Sequence, residues 1–89
     1  MPSISMFYGL VIYLYSFDNL EHHKPHLHIK YQGEYSVISI PDCELIEGKL
    51  PTKKLELVKA WFNIHEEEII ADWDLAVNGE TPYRIEPLK

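Results

Sequence analysis

The segment HLHIKYQGEYSVISI, residues 26–40, decides the fold of this chain. It consists of two runs rich in β-branched and aromatic residues, which flank the dipeptide Gly33-Glu34. Such runs favour strands, and glycine at the first turn position is typical of a type II′ hairpin. The segment therefore predicts an antiparallel hairpin with strands at residues 26–32 and 35–40.

The two faces of this hairpin follow from the position of the turn. If Gln32 lies opposite Tyr35, side chains alternate between the faces along each strand. His26, His28 and Lys30 then share one face, and we expect the two histidines to point away from the main core. The other face is apolar and suited to pack against a helix, and it contains Leu27, Ile29, Ile38 and Ile40.

The remaining segments predict further strands and a helix. Residues 8–16 favour one strand, residues 17–25 a loop and residues 44–49 a short strand. Residues 52–77, with Thr52 as N-cap, carry apolar positions at spacings of three and four, as in an amphipathic helix. The stripe consists of Leu55, Val58, Phe62, His65, Ile69, Trp73 and Ala76.

Strands followed by a helix indicate an α+β fold, with an antiparallel sheet of about three or four strands and a C-terminal helical layer on one face. A straight helix over residues 52–77 would measure ~39 Å at 1.5 Å per residue, which is long for so small a sheet. Residues 63–66 resemble a capping box. We therefore expect either a break near His65 or packing of the second half of the helix on another chain, as in a homo-oligomer.

Composition limits the class of protein. Eighty-nine residues with 46% hydrophobic content predict a single domain over residues 1–89. The formal net charge is −6 and the sequence shows no basic run, which argues against nucleic acid as a partner. The sequence contains no apolar stretch long enough for a membrane span and no leader pattern. Its single cysteine, Cys43, fits a reducing compartment, so we expect a cytoplasmic protein.

Chemically reactive side chains concentrate in residues 21–28, EHHKPHLH, which hold four of the five histidines. His26 and His28 project to the same side of a strand, so two imidazoles can bind one divalent ion. A third ligand could come from the preceding loop, where His22, His23, Glu21 and Asp18 are the candidates. Neutral imidazole suits zinc or nickel. The same pair could serve in acid–base catalysis, or the segment could be a histidine-rich loop that only forms hydrogen bonds.

The chain resembles, along nearly its whole length, the bacterial domain-of-unknown-function family numbered 4160. The resemblance lies in residues 7–12 (FYGLVI), in residues 21–28 and in the helical end and tail from Trp61 to Leu88. His22, His26 and His28 correspond to the family histidines, whereas Lys24 and Leu27 replace a usual proline and a usual aromatic residue. The resemblance implies small bacterial proteins without an established activity, often encoded beside another small uncharacterised domain, similar to toxin–antitoxin pairs.

Three classes of function follow. The leading hypothesis is a protein-binding module, one component of a toxin–antitoxin-like pair, which uses either the histidine face or the acidic helix. The second is a divalent-metal-binding protein, and the third is a small hydrolase or ribonuclease that uses the same histidines. Acidic runs usually form a solvated surface, and the alternative is a contact for a basic partner. The acidic residues in question are Glu66, Glu67, Glu68, Asp72 and Asp74.

Overall fold

The computed structural model describes residues 3–14, 25–40 and 42–88. Within these residues, five strands precede one helix: β1 (Ser3–Phe7), β2 (Leu10–Tyr13), β3 (His26–Tyr31), β4 (Glu34–Ser39), β5 (Leu45–Glu47) and α1 (Thr52–Val77). The strands form one antiparallel sheet in the order β1-β2-β3-β4-β5. The α+β prediction is confirmed, with five strands where the sequence indicated three or four.

The additional strand arises from a hairpin that the sequence pattern conceals. The chain was expected to form one strand over residues 8–16, but Phe7 pairs with Leu10 across a two-residue turn at Tyr8 and Gly9. Their φ angles of 49° and 81° are both positive, as a type I′ turn requires. Gly9 is the one turn-favouring residue here, and apolar or aromatic residues flank it on both sides, so local composition marks the turn only weakly.

The β3–β4 hairpin uses the same turn geometry, one residue earlier than predicted. Tyr31 pairs with Glu34, so the central residues are Gln32 and Gly33, with φ angles of 49° and 80°. The predicted type II′ turn at Gly33-Glu34 is therefore wrong. Each residue of β3 meets a partner two positions from the expected one, and an even shift leaves every side chain on its predicted face. The predicted burial is confirmed for Leu27, Ile29, Ile38 and Ile40.

Helix α1 covers the apolar face of the sheet and bends at His65, where φ is −115° and ψ is 22°. The predicted break near His65 is therefore confirmed. Pro51, not Thr52, occupies the N-cap position. The buried side of the helix continues through the bend and consists of Val58, Trp61, Phe62, Ile69, Asp72, Trp73 and Ala76.

The helix runs from one end of the sheet to the other. Near its start, Lys54 Nζ donates a hydrogen bond of 3.1 Å to the carbonyl oxygen of Tyr8, in the β1–β2 turn. In its second half, the Trp73 ring lies 5.1 Å from the ring of His26, the first residue of β3. The chain then returns along the edge of the sheet, where Ile85 N–H donates to Ile4 O of β1 at 2.7 Å.

Two glycines with the same backbone conformation provide a matched test of how closely the end of β5 approaches β4. Gly33 and Gly48 have φ angles of 80° and 82°, so alanine at either position costs about 1–2 kcal/mol for its left-handed conformation. A Cβ at Gly33 meets nothing within 4 Å, whereas a Cβ at Gly48 would lie 2.4 Å from Tyr35 O. We expect Gly48→Ala to lower the free energy of unfolding by at least ~1 kcal/mol more than Gly33→Ala, because overpacking adds to the backbone term. Urea denaturation of both variants measures this difference, and equal losses would contradict the close approach of β5 to β4.

Candidate functional site

The sheet has a second face, opposite the residues that pack under α1. Strand pairing places Met6, Val11, Lys30 and Tyr35 in one row across four strands. The next row contains Tyr13, His28 and Val37, which pair in sequence across β2, β3 and β4. We call these seven residues the histidine face.

Exposure of the histidine face changes from one end to the other. Met6 and Tyr35, in the row next to the turns, are 55% and 51% exposed. Val11, Lys30 and His28 are half-buried. Val37 is buried, and the face ends beside His26, which is fully buried. The accessible part of this surface is therefore the row that ends in Met6 and Tyr35.

Lys30 lies within the accessible row and contacts its aromatic neighbour. Its Nζ is 5.7 Å from the centre of the Tyr35 ring, a distance at which a cation is attracted to the ring face. Lys30 and Tyr35 are direct cross-strand partners. The contact therefore restricts both side chains within a surface that is otherwise apolar.

His26 and His28 are brought together as predicted. Their ring centres are 5.1 Å apart with an interplanar angle of 70°, so both rings lie on the same side of β3. The prediction that both point away from the helix is wrong for His26, whose ring is fully buried and packs against Trp73. His26 is the first residue of β3, so the second half of α1 reaches it at the end of the sheet.

The predicted third ligand, His22, lies outside the described residues, as do His23, Glu21 and Asp18. Within residues 3–14, 25–40 and 42–88, no group of three or more His, Cys, Asp or Glu side chains is arranged to hold a metal ion. The described part of a metal site is thus a pair of imidazoles.

Asp72 is a residue whose role the sequence pattern missed. It was grouped with the acidic residues of a solvated helix surface, but it is only 3% exposed. Its Oδ1 accepts a hydrogen bond of 3.0 Å from Tyr83 N–H. Burial, the largest effect, raises the pKa of this carboxyl to about 6, the Tyr83 N–H lowers it and the nearby Glu68 carboxylate raises it. Its spacing of three after Ile69 and four before Ala76 was the signal that placed it on the buried stripe.

Two further candidate residues, His65 and Cys43, have structural explanations. His65 Nδ1 is hydrogen-bonded to Glu68 Oε1 at 2.7 Å, and the His65 ring lies 6.0 Å from that of Trp61. Cys43 is buried, and desolvation raises the pKa of its thiol to about 11 despite the opposing charge of Lys59. A thiol that is protonated at neutral pH is a poor nucleophile.

These observations define a small α+β protein with one antiparallel sheet, one bent helix and an exposed sheet face beside a histidine pair. A model of the family described as Domain of unknown function (DUF4160) matches residues 9–74. The chain belongs to this family, and the resemblance noted from the sequence is confirmed. No curated protein and no solved structure matches it.

The matched region includes β2 to β5, residues 21–28 and most of α1, so the family model covers every residue of the histidine face except Met6 on β1. The family description assigns no activity. Among the described residues, no helix is both long enough and apolar enough to cross a membrane. A cytoplasmic location stays a prediction.

The burial of Cys43 can be tested directly by the reactivity of its thiol. A rise of the thiol pKa from 9.0 to about 11 lowers the thiolate fraction at pH 8 by about a hundredfold. We expect native protein to react with a disulfide reagent at least ~100-fold more slowly than protein unfolded in urea, because only the thiolate attacks. Absorbance of the released thiolate measures both rates. Native and unfolded rates within tenfold of each other would contradict a buried thiol.

Proposed function

We propose that this protein is a protein-binding module and that the histidine face is its contact surface. The observation that carries this proposal is the exposed row that ends in Met6 and Tyr35, on a sheet whose other face supplies the buried side chains of the core. Met and Tyr are enriched at protein interfaces relative to other surfaces: the Tyr ring buries a large area on two rotatable bonds, and the flexible Met side chain adapts to the partner.

The charge distribution supports contact through this face. The chain has a formal net charge of −6, but the histidine face contains Lys30 and the titratable His28, with Glu47 paired to Val37 at its margin. A partner can therefore approach the face without the repulsion that the acidic part of α1 exerts on an acidic protein. The exposed acidic residues of α1 are the alternative contact, suited to a basic partner: Glu66, Glu67, Glu68 and Asp74.

The partner that fits this proposal is the product of a neighbouring gene. Resemblance to the family implies such a neighbour, in an arrangement similar to toxin–antitoxin pairs. Two small proteins of this kind need about 800 Å² of buried surface each for a stable complex. The accessible row of the histidine face, together with the adjoining exposed Tyr8, would supply the apolar centre of such a contact.

Two exposed tyrosines allow a controlled test with the neighbour's product. We expect the untagged chain to form a complex with that product, measured by calorimetry, and Tyr35→Ser to weaken the complex by about tenfold or more. Tyr83→Ser is the control, since Tyr83 is 75% exposed and lies on the C-terminal segment outside the sheet. No complex, or equal losses in both variants, would contradict the proposal.

A second candidate function is supported by the 5.1 Å separation of the His26 and His28 rings, which suits two ligands of one ion. We propose zinc or nickel as the metal, with His22 as third ligand. The imidazoles would supply neutral nitrogen ligands, and burial of His26 would hold its ring in one orientation.

Zinc titration of untagged protein by calorimetry tests the metal proposal. We expect micromolar or tighter binding that His28→Ala abolishes and that weakens as the pH is lowered, because protons compete with the metal for imidazole. His65→Ala is the matched control, since His65 lies on α1 and binds Glu68. Binding that is equally weak in wild type and His28→Ala would rule out the site.

The third class, a small hydrolase or ribonuclease, has no observation of its own among the described residues and stays a prediction.

A further inference from the structure

We propose that the C-terminal segment, residues 83–86, is a strap whose docking on the edge of the sheet is controlled by a single proton on Asp72. This inference is independent of the partner and metal proposals. It rests on how the segment is held and on the surroundings of one carboxyl group.

The strap is fastened at several points along its length. Tyr83 N–H donates to Asp72 Oδ1 at 3.0 Å, and Ile85 N–H donates to Ile4 O of β1 at 2.7 Å. The Trp61 indole N–H donates to Glu86 O at 2.8 Å. The Ile85 side chain is buried in the core. The strap therefore joins edge strand β1 to both halves of α1.

A further contact of the strap is made by the Arg84 side chain. Arg84 donates from one guanidinium nitrogen to Ser3 Oγ at 3.0 Å and to Ser3 O at 3.3 Å. This bond is exposed, so it contributes little by itself. It directs the guanidinium to β1 and leaves the Asp72 carboxyl with a backbone N–H as its partner from the strap.

The Asp72 carboxyl occupies an environment that disfavours its charge. Only Oδ1 is hydrogen-bonded, and the buried Oδ2 has no hydrogen-bond partner among the described residues. The charged group that acts on it is Glu68, one turn earlier on the same helix, whose like charge adds to the cost of ionisation. Glu68 is itself hydrogen-bonded to His65. A buried carboxylate with a single donor is poorly compensated.

Proton binding and strap docking are therefore linked. Burial raises the pKa of Asp72 from 3.8 to about 6 in the docked state, and undocking would return the carboxyl to water and its pKa toward the ordinary value. Because the docked state has the higher pKa, the proton's contribution to docking is complete below about pH 4 and is lost as pH rises through 6. The full effect on the docking equilibrium is about a hundredfold, from the difference between the two pKa values.

The strap is accordingly loosest near neutral pH. Its departure would uncover Ile4 O on β1 and the Trp61 indole N–H, both of which it covers when docked. An edge strand with free backbone groups is a template for pairing with another extended chain. The docked strap thus covers one edge of the sheet, and protonation of Asp72 shifts the docking equilibrium of the strap.

Hydrogen exchange measured by NMR tests the strap directly, with rates corrected for the intrinsic effect of pH. We expect protection of the Tyr83 and Ile85 amides to fall by about tenfold between pH 5 and pH 7.5, as linkage to a pKa near 6 requires. The Trp61 indole N–H should shift with the same midpoint, because it loses Glu86 O. Amides of the β3–β4 ladder serve as internal reference and should keep their protection.

Two aspartates provide the matched variants. Asp72→Asn retains an oxygen that can accept from Tyr83 N–H but cannot titrate, so protection of the strap should no longer depend on pH. Asp74→Asn changes an exposed aspartate two residues away and should behave as wild type. A pH-independent strap in wild type, or the same fall in Asp72→Asn, would overturn the proposal.

A direct titration applies if Asp72→Asn does not fold. The carboxyl carbon of Asp72 in the wild type should titrate near 6, together with the Trp61 indole signal. A midpoint near the ordinary 3.8 would equally overturn the proposal.

Discussion

The bend of α1 at His65 is the constraint on which the other contacts depend. A straight helix of 26 residues would be ~39 Å long, whereas the longest extent of the part of the chain that the structure describes is 32 Å. By leaving helical geometry at one residue, the chain keeps one continuous buried side through both halves. The second half then reaches the end of the sheet, where Trp73 covers His26.

The bend also accounts for the burial of Asp72, the acidic residue on the buried side of α1. Because the buried side continues past His65, Asp72 enters the core margin while Glu66, Glu67 and Asp74 remain exposed. The buried carboxyl is retained at a cost in stability, since ionisation is opposed by burial. It binds the returning chain through Tyr83 N–H, so a destabilising group also positions the C-terminal segment.

One-sided coverage of the sheet determines where function can reside. The side chains under α1 are committed to the core, and the described surface that combines exposed apolar, aromatic and cationic groups is the opposite face. Strand pairing holds Met6, Lys30 and Tyr35 in a fixed row, so this face is a preorganised surface and needs little ordering on binding. The histidine pair adjoins it at the buried end.

The sequence by itself determined the features that depend on local periodicity. Alternation with period two assigned Leu27 and Ile38 to the core, and it survived an incorrect turn because an even register shift preserves the faces. The spacing of apolar residues located α1, and the capping-box pattern located its bend. The period-two alternation of a strand also placed His26 and His28 on one side of β3.

Tertiary structure alone decided the features that depend on where distant segments meet. The turn at Tyr8 and Gly9 is marked in the sequence by one glycine between apolar segments, and the pairing of β1 with β2 identifies it as a turn. The alternation of side chains along β3 predicts the side on which His26 projects. It does not predict that α1 covers the end of β3, where Trp73 packs against His26. The burial of Asp72 requires both the helix stripe and the returning C-terminal segment. Periodicity describes each element about its own axis, whereas burial and pKa depend on the neighbours that packing supplies.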